Sequence, residues 1–285
     1  MQRQRSLLAL VFAFALPALA QANAPVSQAP APQTSQDCAL SALPTCVKHV
    51  AQDEFDIVTS PVRVRPHDLL WIAPFGLATA VTIHFDTDAM RDIGIHPSRQ
   101  DSFENYSDAA GLYAPFATSA VFYFAGNRHD DSYMKETAVL SAEAMADAGI
   151  LNEGLKYAID REGPMVDNAK GDFWPRGIKG WPNSPSMPSE HAMNVWAFAH
   201  VVAGQYNGVA TNLVVYGLAT TVSVSRVYAR QHFPSDVLVG STLGWITGGY
   251  VLHRRSHEHG MPDISTVETP LGRGVGLTWN LNRGD

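Results

Sequence analysis

The segment Ser225-Arg226-Val227-Tyr228-Ala229-Arg230-Gln231-His232-Phe233-Pro234-Ser235-Asp236 carries the strongest signal in the chain. Pro234 and Ser235 favour a helix start, and Asp236 opens the apolar run Val237 to Leu252. His232 therefore stands just ahead of a helix, with a carboxylate four residues on. A carboxylate so placed can accept the Nδ1 proton of the imidazole, fix its tautomer and leave Nε2 free to attack. A His–Asp pair that only caps a helix would look the same, and the segment alone leaves both readings open.

Two weaker segments lie upstream. Pro188-Ser189-Glu190-His191 directly precedes the apolar run Ala192 to Val202. A helix start there leaves backbone N–H groups unpaired and favours anions, and His191 in the first turn can donate a proton. An ordinary helix end with a solvated histidine is the plainer alternative. Lys156, in Lys156-Tyr157-Ala158-Ile159-Asp160-Arg161-Glu162-Gly163-Pro164, sits on an expected helix entering a Gly- and Pro-rich loop. Alone it reads as a surface charge. The loop, Asp160 to Pro188, is too long and too rich in Gly, Pro and Trp to be mere connection.

In this order the three segments resemble the signature of the type 2 phosphatidic acid phosphatase and haloperoxidase superfamily. That signature is Lys, six residues, Arg-Pro; then Pro-Ser-Gly-His; then Ser-Arg, five residues, His, three residues, Asp. Ser225, Arg226, His232 and Asp236 complete the third part; Pro188, Ser189 and His191 match the second; Lys156 and Pro164 match the first. The resemblance spans about Leu155 to Leu252. It implies a phosphate monoesterase needing neither metal nor cofactor, with His232 as nucleophile, Asp236 as its orienter and His191 as acid and base. Lys156, Ser189, Arg226 and the backbone N–H groups around Glu190 would bind the phosphate oxygens.

Two positions depart from the pattern. Gly163 stands where an arginine is expected, and Glu190 where a glycine is expected. Glu190 suits a first helical turn, yet pointing inward it would repel phosphate. For the missing guanidinium, Arg161, Lys170, Arg176 and Lys179 are nearby, and Arg230 lies close to the third segment. Arg161 would point about 160° away from position 163 if both lay on one helix, which favours the Lys170 to Lys179 segment.

Apolar stretches at Leu69 to Phe85, Ala109 to Ala125, Thr137 to Ala148, Ala192 to Val202, Ala210 to Val224 and Val237 to Leu252 predict an all-α helical bundle. The first and fifth are barely charged but shorter than a typical span of about 20 residues, which favours a soluble or peripherally attached bundle. Residues 1–24 have a basic start, an apolar run and small residues at its end, as in a secretory signal peptide. Residues 25–50 read as a flexible tether with a Cys38–Cys46 disulfide, 51–256 as the helical domain, and 257–285 as a tail. The chain is expected in the periplasm or otherwise exported, with membrane association left open.

Without the signal peptide, 18 Lys and Arg face 27 Asp and Glu, a net charge of −9. That balance excludes nucleic acid as the expected partner. A phosphate ester, including a lipid phosphate, is the partner to expect. Two rivals follow from the same residues. A phosphate- or lipid-binding relative with impaired catalysis would explain Gly163 and Glu190. A vanadium-dependent haloperoxidase would use the same cradle and the same histidine.

Overall fold

A computed structural model describes residues 43–59, 63–177, 185–255, 263–269 and 272–278. The expected signal peptide, most of the tether, Cys38 and Lys179 lie outside the described residues. The helices are α1 (Leu43–Thr59), α2 (Leu69–Ile93), α3 (Pro97–Asp108), α4 (Ala114–His129), α5 (Ser132–Ile159), α6 (Glu190–Gln205), α7 (Val209–Tyr228) and α8 (Pro234–Arg255). A π-helical turn, Ala109–Tyr113, joins α3 to α4. The expected helical bundle is present. Among the described residues its one exception is an antiparallel hairpin after α8, β1 (Asp263–Thr269) with β2 (Gly272–Thr278), in the expected tail.

All six apolar stretches became helices, generally longer than their apolar portions. α1 starts at Leu43, inside the segment read as tether. α3 was not foreseen because its sequence, PSRQDSFENYSD, shows no apolar stripe; Pro97 in its first turn is the surviving cue. The apolar stretch ends at Phe85, where Asp86 and Asp88 follow, but α2 continues to Ile93. Asp86 is tolerated within it because the carboxylate is buried against Arg161 and Ser235.

The core is built on α5, α6 and α8. Leu140, Ala144 and Ala148 recur at every fourth residue on α5. Met193, Ala197 and Val201 do so on α6, and both rows close on Val251 and Leu252 of α8. α6 and α8 approach closely along a glycine ridge. A Cβ on Gly240, Gly244 or Gly248 would lie 2.5, 2.0 or 2.5 Å from the carbonyl oxygens of Ser189, Met193 and Ala197. This backbone contact fixes the start of α6, with Ser189 and His191, against the start of α8, with Asp236. The Ser189 N–H donates to the Asp236 carbonyl at 3.0 Å.

α2 divides into two halves. From Asp86 onward it packs on the bundle, burying Asp86, Ala89 and Met90. Before that, no residue from Leu69 to Phe85 is buried, and Trp71 is 79% exposed. Pro66–Ile93 is, among the described residues, the one helical segment long and apolar enough to cross a membrane.

The glycine ridge yields a test. Gly244→Ala forces a methyl into the Met193 carbonyl and should cost about 1–3 kcal/mol of stability, read as a lower urea midpoint. Gly149→Ala, in α5 with nothing within 4 Å of the added carbon, should be neutral or stabilising by up to about 1 kcal/mol. Equal midpoints for Gly244→Ala and wild type would contradict the packing.

Candidate active site

Local helix signals set the site. α7 ends at Tyr228, and Arg230 takes a left-handed conformation (φ 58°) that turns the chain towards α8. Phe233 is the residue preceding α8, Pro234 opens the helix, and Asp236 reaches back to accept the Phe233 N–H at 2.9 Å. This is half of a capping box. His232 is thereby held in the turn between the two helices and is buried.

The expected orientation of His232 by Asp236 needs correction. His232 Nδ1 lies 2.7 Å from the Ser186 carbonyl oxygen and 3.9 Å from Asp236 Oδ2. Asp236 is committed elsewhere, to its helix cap through Oδ2 and to Arg161 Nη1 through Oδ1 at 2.6 Å. Burial pushes its carboxyl up to about 6, with the charge of Asp86 adding to the rise and Arg161 and the Phe233 N–H opposing it. A carbonyl can only accept, so Nδ1 carries the proton and Nε2 keeps its lone pair. Among the described residues Nε2 has no hydrogen-bond partner. Burial, then the charge of Arg226, holds the imidazole well below its ordinary pKa, with Lys156 and His191 adding to the effect and the Ser186 carbonyl opposing it. His232 is a neutral imidazole with a free nitrogen.

Arg161 was expected to be a weak substitute for the arginine missing at 163. It plays another part. α5 ends at Ile159, and Asp160 takes a left-handed conformation (φ 38°), so residue 161 lies beyond the helix and the helical angle does not apply. The guanidinium is buried, 2.8 Å from Asp86 Oδ2, 2.6 Å from Asp236 Oδ1 and 2.6 Å from Ser235 Oγ. Its carbon sits 4.2 Å from the centre of the Phe233 ring. Its backbone carbonyl accepts the Ser186 N–H at 2.8 Å. Gly171 allows this packing: it has φ +66°, and a Cβ there would fall 2.9 Å from Arg161 Nη2 and 2.8 Å from Phe233 Cε2. The other described candidates are also engaged, Lys170 with Asp167 at 2.6 Å and Arg176 with Asp160 at 3.7 Å. Position 163 itself is open: a Cβ would meet Ser186 Cβ at 3.7 Å and the Gln231 carbonyl at 4.0 Å.

The expected phosphate-binding residues gather around the two histidines, but their charges are already matched. Lys156 Nζ is 3.1 Å from Glu190 Oε2 and 3.0 Å from Glu153 Oε1. Glu190 thus turns its carboxylate towards the lysine. Arg226 Nη1 is 3.0 Å from Ser107 Oγ and 3.1 Å from Asp108 Oδ1. Ser189 Oγ and Arg226 Nε are buried without a hydrogen-bond partner among the described residues, and the first N–H groups of α6 have none within the helix.

Asp108 was missed by sequence reasoning. It ends α3, far from the three segments in sequence, and no spacing links it to them. His191 Nε2 is 2.8 Å from Asp108 Oδ1, an ion-pair contact in which the oxygen lies off the line of the ring N–H. Burial, then Arg226, lowers the His191 pKa, and the charges of Asp108 and Glu190 oppose that fall. Ser186 was missed as well, because it contributes a backbone carbonyl, which carries no side-chain signature.

Residues 137–258 match the PAP2 superfamily. No curated protein sequence matches the chain. Among solved structures, the chain is similar to Aquifex aeolicus LpxE, with 22% identity, 59% of this chain and 95% of that chain covered, and a TM-score of 0.46. It is also similar to the first transmembrane PAP2 type phosphatidylglycerolphosphate phosphatase from Bacillus subtilis, with 19% identity, 64% and 94% covered, and a TM-score of 0.44. The matched region contains all three motif segments and nearly all of the helices α5 to α8 that carry them, and it is the part of the chain that is similar to the PAP2 superfamily.

Proposed function

We propose that the chain is an exported phosphomonoesterase that works without metal through a phosphohistidine on His232. The observation that carries this reading is the buried, neutral His232 with its free Nε2, set beside unpartnered donors on Ser189 and Arg226. Nε2 attacks phosphorus while the bond to the leaving oxygen breaks, and that oxygen takes a proton from His191. His191 then removes a proton from water, whose oxygen attacks phosphorus and breaks the N–P bond, releasing inorganic phosphate. Lys156, Arg226, Ser189 Oγ and the first N–H groups of α6 serve the non-bridging oxygens, where preorganised donors matter most. Asp236 contributes by positioning: with Arg161 it fixes the turn that holds His232.

A lipid phosphate is the favoured substrate class. The segment Leu69–Phe85 of α2 contains no Asp, Glu, Lys or Arg and buries none of its side chains, with Arg63 and Arg65 ahead of it and Trp71 near its start. These are features of a segment held in a bilayer with its basic flank at the interface. Asp86, one residue on, belongs to the Arg161 network beneath the site. A site tied this closely to an apolar segment suits an ester with an apolar tail.

One observation supports a second reading, a binding protein with little turnover. Lys156 and Arg226 are each paired with an internal carboxylate, and no described cation replaces the arginine missing at 163. The protein lacking residues 1–24 should hydrolyse phosphatidic acid and an aryl phosphate in the presence of chelator. His232→Ala should lower that rate by at least about 10³-fold. Phosphate binding with no turnover in either protein would establish the second reading instead.

The open position at 163 provides a further test. Gly163→Arg adds a guanidinium beside Ser186 and Gln231, and kcat/KM should rise by about tenfold or more, one added donor being worth up to about 10²–10³. An unchanged or lower value in a folded variant would show that the pocket does not use a cation there.

A further inference from the structure

We propose that Asp108 is a positioning residue for His191, its carboxylate beside Nε2 favouring the protonated ring by charge, while the same carboxylate restrains Arg226. The inference rests on the phosphatase reading for its catalytic meaning, but its physical content concerns only Asp108, His191 and Arg226.

One oxygen makes both contacts, 2.8 Å to His191 Nε2 and 3.1 Å to Arg226 Nη1. Local structure brings it there. Asp108 is the last residue of α3, and the π-turn Ala109–Tyr113 follows at once. π-turns of this kind widen a helix by one residue and recur at functional sites. Gly111, within the turn, lets the backbone pass close to the site: a Cβ there would strike Val222 Cγ1 at 2.5 Å and lie 3.6 Å from His191 Cβ. The π-turn thus seats the end of α3 against the starts of α6 and the last turns of α7. Ser107 reinforces the arrangement by accepting from the same Arg226 nitrogen.

The charges around His191 make such a partner necessary. Arg226 on α7 opposes its protonation, as does burial. Glu190 on α6 favours it but is shared with Lys156 on α5, and the imidazole of His232 is neutral. Asp108, from α3, is therefore the carboxylate in direct contact with the ring. A histidine that must protonate an alkoxide needs its proton at working pH, and an adjacent carboxylate supplies that bias.

The test compares wild type with Asp108→Asn and Asp108→Glu. NMR titration of His191 should show its pKa falling by about one unit in Asp108→Asn, with Asp108→Glu restoring most of the difference. The limb on which kcat/KM declines with rising pH should move down with it. An alkyl phosphate, whose leaving oxygen needs the proton, should lose about 10²-fold or more in Asp108→Asn. An aryl phosphate with an acidic leaving group should lose less than about tenfold. A His191 pKa that does not change would overturn the proposal, as would equal losses on both esters. Should wild type hydrolyse neither ester, the phosphatase reading fails, and the His191 titration still decides whether Asp108 governs the proton.

Discussion

A single buried guanidinium determines how the site is held. Arg161 lies between Asp86 on α2 and Asp236 on α8, donates to Ser235, and stacks on Phe233. Breaking a buried pair by removing one partner leaves charge uncompensated and costs about 3–5 kcal/mol; here two carboxylates would be stranded at once. The effect reaches the chemistry by two routes. Through Asp236 the pair fixes the first turn of α8 and so the turn bearing His232. Through its backbone carbonyl Arg161 fixes Ser186, whose own carbonyl sets the tautomer of His232. Arg161 therefore supports the turn that carries His232 and is itself buried.

Around that frame the site presents cations already balanced by carboxylates. Lys156 meets Glu190 and Glu153, and Arg226 meets Asp108. A phosphate bound as proposed would have to share these partners, and its affinity would depend on how far Glu190 and Asp108 yield. The two carboxylates differ in kind. Glu190 stands where glycine would leave the helix start bare, and it competes directly for Lys156. Asp108 touches a histidine as well as an arginine, and its charge supports a proton as much as it weakens an anion site.

The sequence made the bundle and its reactive centre legible because both rest on side-chain pattern. Apolar runs marked the six longest-buried or most apolar helices, and three spaced motifs brought Lys156, Ser189, His191, Arg226 and His232 into one region. What escaped notice was carried by backbone or by distant polar residues. The Ser186 carbonyl that orients His232 has no side-chain signal. Asp236 offered a plausible carboxylate for that task, and the capping role, which has the same spacing, is the one its geometry serves. Arg161 was misplaced because the helix was extended past Ile159, where Asp160 turns the chain. Asp108 sits on a polar helix with no apolar stripe, so neither the helix nor its last residue stood out. The ridge Gly240, Gly244 and Gly248 was visible as a four-residue repeat, but its partner, the carbonyl edge of α6, appears only in three dimensions.

The account turns on which atom forms the covalent bond to phosphorus. Rapid quenching during turnover of an alkyl phosphate, followed by phosphorus NMR and peptide mapping under alkaline conditions, reads this directly. The account predicts an acid-labile, base-stable phosphoramidate on Nε2 of His232, absent from His232→Ala. Turnover with no phosphoenzyme, or with phosphate attached to any other residue, would contradict it.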